Sequence, residues 1–183
     1  MRPRLRIGMG CLARRPNSKW EVNMKYILSL LVFLVLHILP GNAQNPAATI
    51  PEFSFEKQDK SNFSRKDITA GRLSFFVFFD TSCDHCQQAL EYLNTHQSQF
   101  AKAKIYLVTM DARERVAAFL EKHGNKLSKA KNTILLFDTK NHFITRFTPR
   151  KYPSLMLYSK EGKLLLYDDE EKNLPQFIEK IKG

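Results

Sequence analysis

The sequence predicts an α/β protein with a central mixed β-sheet flanked by helices on both faces. The run Leu73–Phe79, which is apolar at every position except Ser74, has the length and aromatic content of a strand that is buried on both sides. Apolar residues at helical spacing follow this run, and two later apolar runs are joined by a polar linker that contains glycine, as in a hairpin. The predicted order is β-α-β-α-β-β-α, which is typical of helices packed on a sheet.

The first elements surround the predicted central strand. Three aromatic residues predict a short early strand and a packing edge, and they are Phe53, Phe55 and Phe63. Residues 64–70 have the composition of a turn of helix. Thr81 and Asp84 form a capping-box pattern, so the first long helix is expected over about 82–97.

The second half of the chain continues the alternation. Ile105–Thr109 reads as a strand, and Asp111 with Glu114 forms a second capping-box pattern for a helix that Gly124 ends. A lysine-rich loop or short helix over 125–132 and a short strand over 134–137 follow. The hairpin strands are expected at 155–158 and 164–167, an acidic solvated turn at 168–171, and a final helix from Asn173.

The beginning of the chain is expected to lie outside this domain. Residues 24–43 join one lysine, a 13-residue apolar stretch from Ile27 to Leu39 and the small residue Ala43, which is the pattern of a signal peptide. An uncleaved membrane anchor is the alternative. Residues 1–23 are then expected to be an over-extended N-terminus, residues 44–52 a flexible lead-in, and residues 53–183 the folded domain.

The net charge of +11 does not point to a nucleic-acid partner. Seven of the 29 basic residues and one of the 18 acidic residues precede Gln44, so the balance from there on is 22 − 17 = +5. No basic stripe interleaved with aromatic residues occurs in that part of the sequence. We therefore expect no nucleic-acid binding.

Two cysteines, Cys83 and Cys86, stand at the junction of the central strand and the first long helix. Free N–H groups and the helix dipole favour a thiolate at Cys83, the expected nucleophile. Cys86, one turn further and on the apolar face, is expected to resolve the mixed disulfide. His85, between them, can donate to the thiolate or stand charged beside it.

Other uses of a C-x-x-C pair fit this sequence less well. A structural zinc site needs four ligands, and the sequence has no second cysteine pair or paired histidines. Haem attachment needs a histidine after the second cysteine, where Gln87 stands. An inert disulfide that fixes the helix start stays open. We expect neither a metal nor another cofactor.

The combination resembles the thioredoxin superfamily, and within it the secreted bacterial TlpA/ResA-like thiol–disulfide oxidoreductases. The strand, the C-x-x-C pair and the helix carry this resemblance, together with Pro153 before the strand at 155–158. The resemblance implies a cis peptide bond between Tyr152 and Pro153, facing the cysteines. It further implies that Tyr152 and Pro153 form the wall with which a substrate strand pairs.

The sequence departs from the family pattern at two positions. Ser82 stands where thioredoxins usually carry tryptophan before the first cysteine. Val77 stands where they tend to carry a buried acid that accepts the proton of the resolving thiol. Another base, such as a Glu or Asp of the partner or of a loop, would have to help in that step.

The leading hypothesis is an exported, periplasmic or extracytoplasmic enzyme that exchanges the dithiol or disulfide of Cys83 and Cys86 with protein substrates. It would be a monomer with a membrane or periplasmic redox partner. A thiol peroxidase is a second hypothesis, although Asp80 stands where that family has threonine, three residues before the cysteine. A copper-binding or copper-delivery module with His142 as a further ligand is the third.

Overall fold

The computed structural model describes residues 24, 26–32 and 45–183. Residues 26–32 are helical, and their apolar side chains are exposed. No helix within these described ranges is long and apolar enough to cross a membrane. The expected over-extended N-terminus 1–23, with Cys11, and most of the expected signal peptide 24–43 lie outside the described residues.

In the described part of the chain, seven strands form one mixed sheet in the order β2-β1-β5-β4-β3-β6-β7. Strands β3, β4 and β5 are parallel, whereas β6, β7, β1 and β2 each run antiparallel to their neighbours. The predicted mixed sheet is thus confirmed, with β3 between β4 and β6. The strands are β1 (Ser54–Glu56), β2 (Asn62–Ser64), β3 (Leu73–Phe78), β4 (Ala103–Thr109), β5 (Thr133–Phe137), β6 (Ser154–Tyr158) and β7 (Leu164–Asp168).

Four α-helices and a π-helix accompany the sheet in residues 45–183. The α-helices are α1 (Asp84–Thr95), α2 (Arg113–His123), α3 (Asn125–Ser128) and α4 (Leu174–Lys182). The π-helix spans Phe143–Phe147 and was not expected from the sequence. Such helices are rare and are frequent near functional sites.

Strand β3 separates two hydrophobic cores because its side chains alternate between the faces of the sheet. Phe75 and Val77, with Phe79 directly after the strand, are fully buried in one core, to which all four α-helices contribute apolar side chains. Phe76 and Phe78 are fully buried in the other. A side chain of this kind contributes roughly 1.5–3 kcal/mol when it is removed from water.

The second face is covered mainly by aromatic side chains rather than by long helices. The ring of Phe143 in the π-helix stacks on Phe78, with ring centroids 3.7 Å apart, and Phe147 lies 5.1 Å from the same ring. Phe53 and Phe55 from the early part of the domain complete this core. Helices therefore lie on both faces, but in the described residues one face carries all four α-helices and the other a single π-helix.

The two predicted capping boxes at the long helices do not form. Helix α1 begins at Asp84, and Cys83 rather than Thr81 is its N-cap. Helix α2 begins at Arg113 after Ala112, without a side-chain cap. Both predictions were wrong because Thr81 and Asp111 bond to each other across the ends of neighbouring strands.

The expected flexible lead-in, where the structure describes it, is hydrogen-bonded to the hairpin of β6 and β7. The N–H of Ile50 donates to the carbonyl of Gly162 at 2.9 Å, and Thr49 pairs with Lys163. Gly162 has φ +79°, a left-handed conformation that favours glycine in the hairpin turn. Asn173 stands at the predicted start of the last helix, as its N-cap.

Candidate functional site

Cys83 lies at the C-terminal edge of the sheet, where the chain leaves β3 and enters α1. As the N-cap residue it has an extended backbone, with φ −92° and ψ 116°. Its Sγ accepts a hydrogen bond from the N–H of Cys86 at 3.3 Å. Cys83 is half-buried, so its sulfur combines access from solvent with a backbone donor that a thiolate accepts more strongly than a thiol.

Cys86 lies one turn inside the helix and is fully buried. Both cysteines are free thiols in this structure. Burial raises the pKa of the Cys86 thiol, and repulsion from Cys83 and Asp80 acts in the same direction. Val77 lies in the same core and is also fully buried, so the position of the family's acid contributes no charge there.

The loop between β3 and α1 is held by two carboxylates. Asp80 accepts a hydrogen bond from the N–H of Ser82 at 2.7 Å, and its carbonyl accepts one from the N–H of Cys83 at 3.3 Å. Oδ2 of Asp111, at the end of β4, accepts from the N–H and Oγ1 of Thr81, at 2.7 and 2.8 Å. These bonds fix the segment that presents Cys83.

The segment before β6 approaches the same sulfur from the other side. The carbonyl oxygen of Tyr152 lies 4.0 Å from Sγ of Cys83, and the peptide bond between Tyr152 and Pro153 is cis. The Tyr152 ring lies 5.4 Å from that of Phe143, centroid to centroid. Burial raises the pKa of the Tyr152 hydroxyl, with a smaller contribution from the charge of Asp80. Tyr152 and Pro153 thus border the cysteine pair.

His85 points out of the helix, with 64% of its side chain exposed. Its Nδ1 lies 3.1 Å from Oε2 of Glu171, in the short 3₁₀ turn before α4. The Glu171 side chain is only 17% exposed, and this oxygen is buried without an aligned hydrogen bond. The prediction that residues 168–171 are merely solvated was therefore wrong.

The rest of that acidic turn is tied to the segment before Pro153. Arg150 lies 2.9 Å from the carboxylate of Asp169, and Lys151 pairs with Glu170. Hydrogen bonding to Glu170 raises the pKa of Lys151 and lowers that of Glu170. These ion pairs join the turn to the residues that border Cys83, although each is too exposed to add much stability.

The other described histidines are engaged away from the cysteines. Nδ1 of His142 accepts the N–H of Ser54 at 2.8 Å, and Nδ1 of His123 lies 2.7 Å from Oε1 of Glu91. His96, directly after α1, contacts the carbonyl of Tyr92 in that helix. In the described ranges, no three His, Cys, Asp or Glu side chains are grouped so that they could hold a metal ion.

Of the two cysteines, only Cys83 is accessible to solvent, because Cys86 is fully buried. A cavity of about 710 Å³ is lined by residues such as Arg72, Lys102, Lys160 and Leu165, none of which borders the cysteines.

The structure brings all five sequence-predicted site residues to one edge of the sheet: Cys83, His85, Cys86, Tyr152 and Pro153. Sequence reasoning missed Asp111 and Glu171. Asp111 was assigned to a helix cap and Glu171 to a solvated turn. No local pattern could have found them, because their partners lie 30 and 86 positions away in the chain.

The sequence pattern of the AhpC/TSA family matches residues 46–166. A search of the curated proteins finds no match.

Several solved structures resemble this fold at low sequence identity. The thioredoxin domain of a thiol-disulfide oxidoreductase from Bacteroides vulgatus is 19% identical, with TM-score 0.62 over 76% of this chain and 99% of that one. A thiol-disulfide oxidoreductase from Bacteroides fragilis is 19% identical, with TM-score 0.60 over 73% and 98%. The peroxidoxin BcpB from Mycobacterium tuberculosis is 12% identical, with TM-score 0.62 over 76% and 97%. These similarities establish a thioredoxin-like fold.

Proposed function

The chain belongs to the AhpC/TSA family of thioredoxin-like oxidoreductases, and from this premise we propose that it is an exported enzyme that exchanges disulfides with proteins through Cys83 and Cys86. One observation carries the proposal. A half-exposed sulfur at the start of α1 receives the N–H of its partner cysteine at 3.3 Å, while the partner is buried with a raised pKa. This asymmetry suits one attacking and one resolving thiol.

The exchange has two balanced steps. The Cys83 thiolate attacks one sulfur of a substrate disulfide, and the electron pair of that S–S bond leaves on the other sulfur, which takes up a proton. Cys86 then loses its proton and attacks Sγ of Cys83 in the mixed disulfide. The substrate leaves as a dithiol, and Cys83 and Cys86 are left oxidised. The reverse sequence oxidises a substrate dithiol.

Tyr152 and Pro153 are proposed to contact the substrate. The Tyr152 carbonyl lies 4.0 Å from the attacking sulfur, so a chain bound along this segment has its own sulfur within reach. His85, in the first turn of α1, would assist proton movement at Cys83. These roles follow the family resemblance and agree with the positions of the side chains.

We further propose that the protein is exported as a monomer and works in the periplasm or another extracytoplasmic space. The apolar segment within residues 24–43 supports export, and the mature protein would begin at Gln44. N-terminal sequencing of the exported protein tests this proposal. A mature chain that kept residues 24–43 would indicate a membrane anchor instead.

Trapping of the mixed disulfide tests the proposed reaction. In a Cys86→Ser variant the second step is blocked, so Cys83 should accumulate disulfides with its protein partners in the exporting cell. These adducts should vanish on reduction and be absent from the matched control, Cys83→Ser. If Cys86→Ser trapped nothing and Cys83→Ser trapped adducts, the assignment of the nucleophile would be wrong. If neither variant reacted, an inert structural disulfide would describe the pair better.

A thiol peroxidase is the second candidate, because the AhpC/TSA family match and the likeness to a peroxidoxin both favour it. In that reaction Cys83 would attack a peroxide oxygen and become a sulfenic acid, and Cys86 would then form the disulfide with loss of water. Asp80 counts against this reaction, because it stands where the peroxidase family has threonine, three residues before the cysteine, and it would place a negative charge beside the bound peroxide. Consumption of hydrogen peroxide by the reduced protein, compared with its reduction of a protein disulfide, separates the two reactions.

The copper module has less structural support. Nδ1 of His142 already accepts the N–H of Ser54. To complete a copper site, one of the two ring nitrogens of His142 would have to turn toward the cysteines. Titration of the reduced protein with Cu(I) would reveal tight binding if this reading were right.

A further inference from the structure

We propose that Glu171 is a positioning residue for the redox centre, acting through His85. Its carboxylate holds the imidazole with a proton on Nδ1 and leaves Nε2 as the ring nitrogen that carries no proton. The proposal deepens the proposed exchange reaction and rests on it for its effect on rate. The contact between Glu171 and His85 can be tested without that reaction.

The first support is the unsatisfied oxygen of Glu171. Oε2 is buried and has no hydrogen-bond partner in the described structure, although Nδ1 of His85 lies only 3.1 Å away. A buried carboxylate oxygen without a donor is costly in free energy, because it has lost its hydrogen bonds to water and gained none in return. Because His85 is 64% exposed, its ring is free to rotate by the small amount that aligns an Nδ1–H with this oxygen.

The second support is the rigidity of the turn that carries Glu171. Oδ1 of Asp168 accepts the N–H groups of Asp169 and Glu170, at 2.8 and 2.9 Å. Oδ2 of Asp168 accepts from Nδ2 of Asn173 at 2.9 Å. The turn on both sides of Glu171 is therefore fixed, and α1 packs against it.

The third support is that the neighbouring acids are already paired with other cations. Asp169 pairs with Arg150, and Glu170 pairs with Lys151. In the described part of the chain, the charged contact of Glu171 is with His85. Asp169 and Glu170 therefore hold the segment before Pro153, whereas Glu171 contacts the histidine between the cysteines.

This arrangement has a definite chemical effect. A neutral histidine carries one proton, and the hydrogen bond made by one nitrogen decides which nitrogen holds it. With the proton on Nδ1, Nε2 keeps its lone pair and can accept the proton that Cys83 gives up before its attack. The imidazolium so formed can return the proton to the leaving sulfur. A base oriented by a third group is the general arrangement of activated nucleophiles.

The test compares Glu171→Ala with the wild-type protein by ¹⁵N NMR of the imidazole nitrogens of reduced protein at a pH where His85 is neutral. In the wild type, Nδ1 should show the protonated signature and Nε2 the unprotonated one. In Glu171→Ala this preference should disappear. Glu171→Gln keeps an oxygen that accepts the Nδ1 proton and should restore it. The matched control, Glu170→Ala, removes a neighbouring charge and should leave the His85 spectrum unchanged.

The second readout is the rate at which the reduced protein exchanges with a model disulfide. General acid–base catalysis contributes about 10²–10⁴-fold, so misplacing an exposed base should cost on the order of tenfold. Glu171→Ala should show this loss, and Glu171→Gln should recover most of it. In a His85→Asn background the Glu171→Ala substitution should then have no further effect on the rate.

Three results would overturn the proposal. An unchanged His85 tautomer in Glu171→Ala would show that Glu171 does not hold the proton on Nδ1. An altered tautomer with an unchanged exchange rate would show that the position of His85 does not affect the reaction. Equal effects from Glu170→Ala and Glu171→Ala would show a general charge effect. If the wild-type protein exchanged no disulfide at all, the proposed function would fail, and the NMR comparison would still report separately on the contact.

Discussion

Replacing Asp111 tests the idea that this residue anchors the loop of Cys83 rather than capping α2. One carboxylate oxygen accepts two hydrogen bonds from Thr81, at 2.7 and 2.8 Å, and the Asp111 side chain is only 12% exposed. A hydrogen bond to a charged acceptor contributes about 1.5–3 kcal/mol, so the two set an upper bound of about 3–6 kcal/mol. The loss is smaller than this bound because Thr81 is half-buried, so that water can replace the carboxylate as its hydrogen-bond partner after the substitution. We therefore expect Asp111→Ala to cost about 2–4 kcal/mol.

The assay is urea unfolding of the reduced protein. Arg115, which also pairs with Asp111, is 66% exposed and accounts for at most about 0.5 kcal/mol of the expected loss. Glu114→Ala is the matched control, because the capping interpretation makes it equally costly, whereas the structure predicts less than about 0.5 kcal/mol. In a double-mutant cycle with Thr81→Val, the two substitutions should couple by about 1–2 kcal/mol. A loss below about 1 kcal/mol for Asp111→Ala, or strict additivity with Thr81→Val, would refute the anchoring role.

Three further results are expected. Alkylation of the reduced protein near neutral pH should modify Cys83 much faster than Cys86, because burial raises the pKa of the Cys86 thiol. The roles would be reversed if Cys86 in the Cys83→Ser variant were labelled faster than Cys83 in the Cys86→Ser variant. Burial also raises the pKa of Tyr158. The folded state thus keeps that proton where the unfolded chain loses it, and stability falls by up to about 1.4 kcal/mol per pH unit above about pH 10. Tyr158→Phe should flatten this fall in alkaline urea titrations, and an identical slope would count against it. Phe143→Leu should lower the free energy of unfolding by about 1–2 kcal/mol through loss of the stack on Phe78, and no change in the denaturation midpoint would contradict that packing.

Much of the sheet could be predicted from the sequence because its strands are continuous apolar runs. Leu73–Phe79 was expected and Leu73–Phe78 is observed, and the hairpin strands differ from expectation by one residue at one end each. Burial decides such segments, and burial is visible in composition. The cysteine pair was equally visible, since its spacing and its place after a buried strand are local features.

The errors lie where a polar side chain had both a local and a distant partner. Thr81 and Asp111 each began a plausible capping box. The parallel pairing of β3 with β4 brings the two residues together, and the carboxylate of Asp111 accepts hydrogen bonds from Thr81 instead of capping α2. Glu171 looked solvated because nothing in residues 168–173 indicates that α1 packs against them. The π-helix was missed although Phe143 and Phe147 stand four residues apart, because a single turn of apolar spacing is too short to indicate a helix from the sequence. The two rings gain their packing partners only from the aromatic face of β3.

The reduction potential of the Cys83–Cys86 couple tests the central claim most directly. It is measured by equilibrating the protein with glutathione buffers and counting free thiols by alkylation and mass. An exchange enzyme should give a reversible couple within about −270 to −120 mV, the span from reducing to strongly oxidising members of this superfamily. A value toward either end would also separate a reductase from an oxidase. A pair that never oxidises, or a potential below about −300 mV as in structural disulfides, would contradict the account.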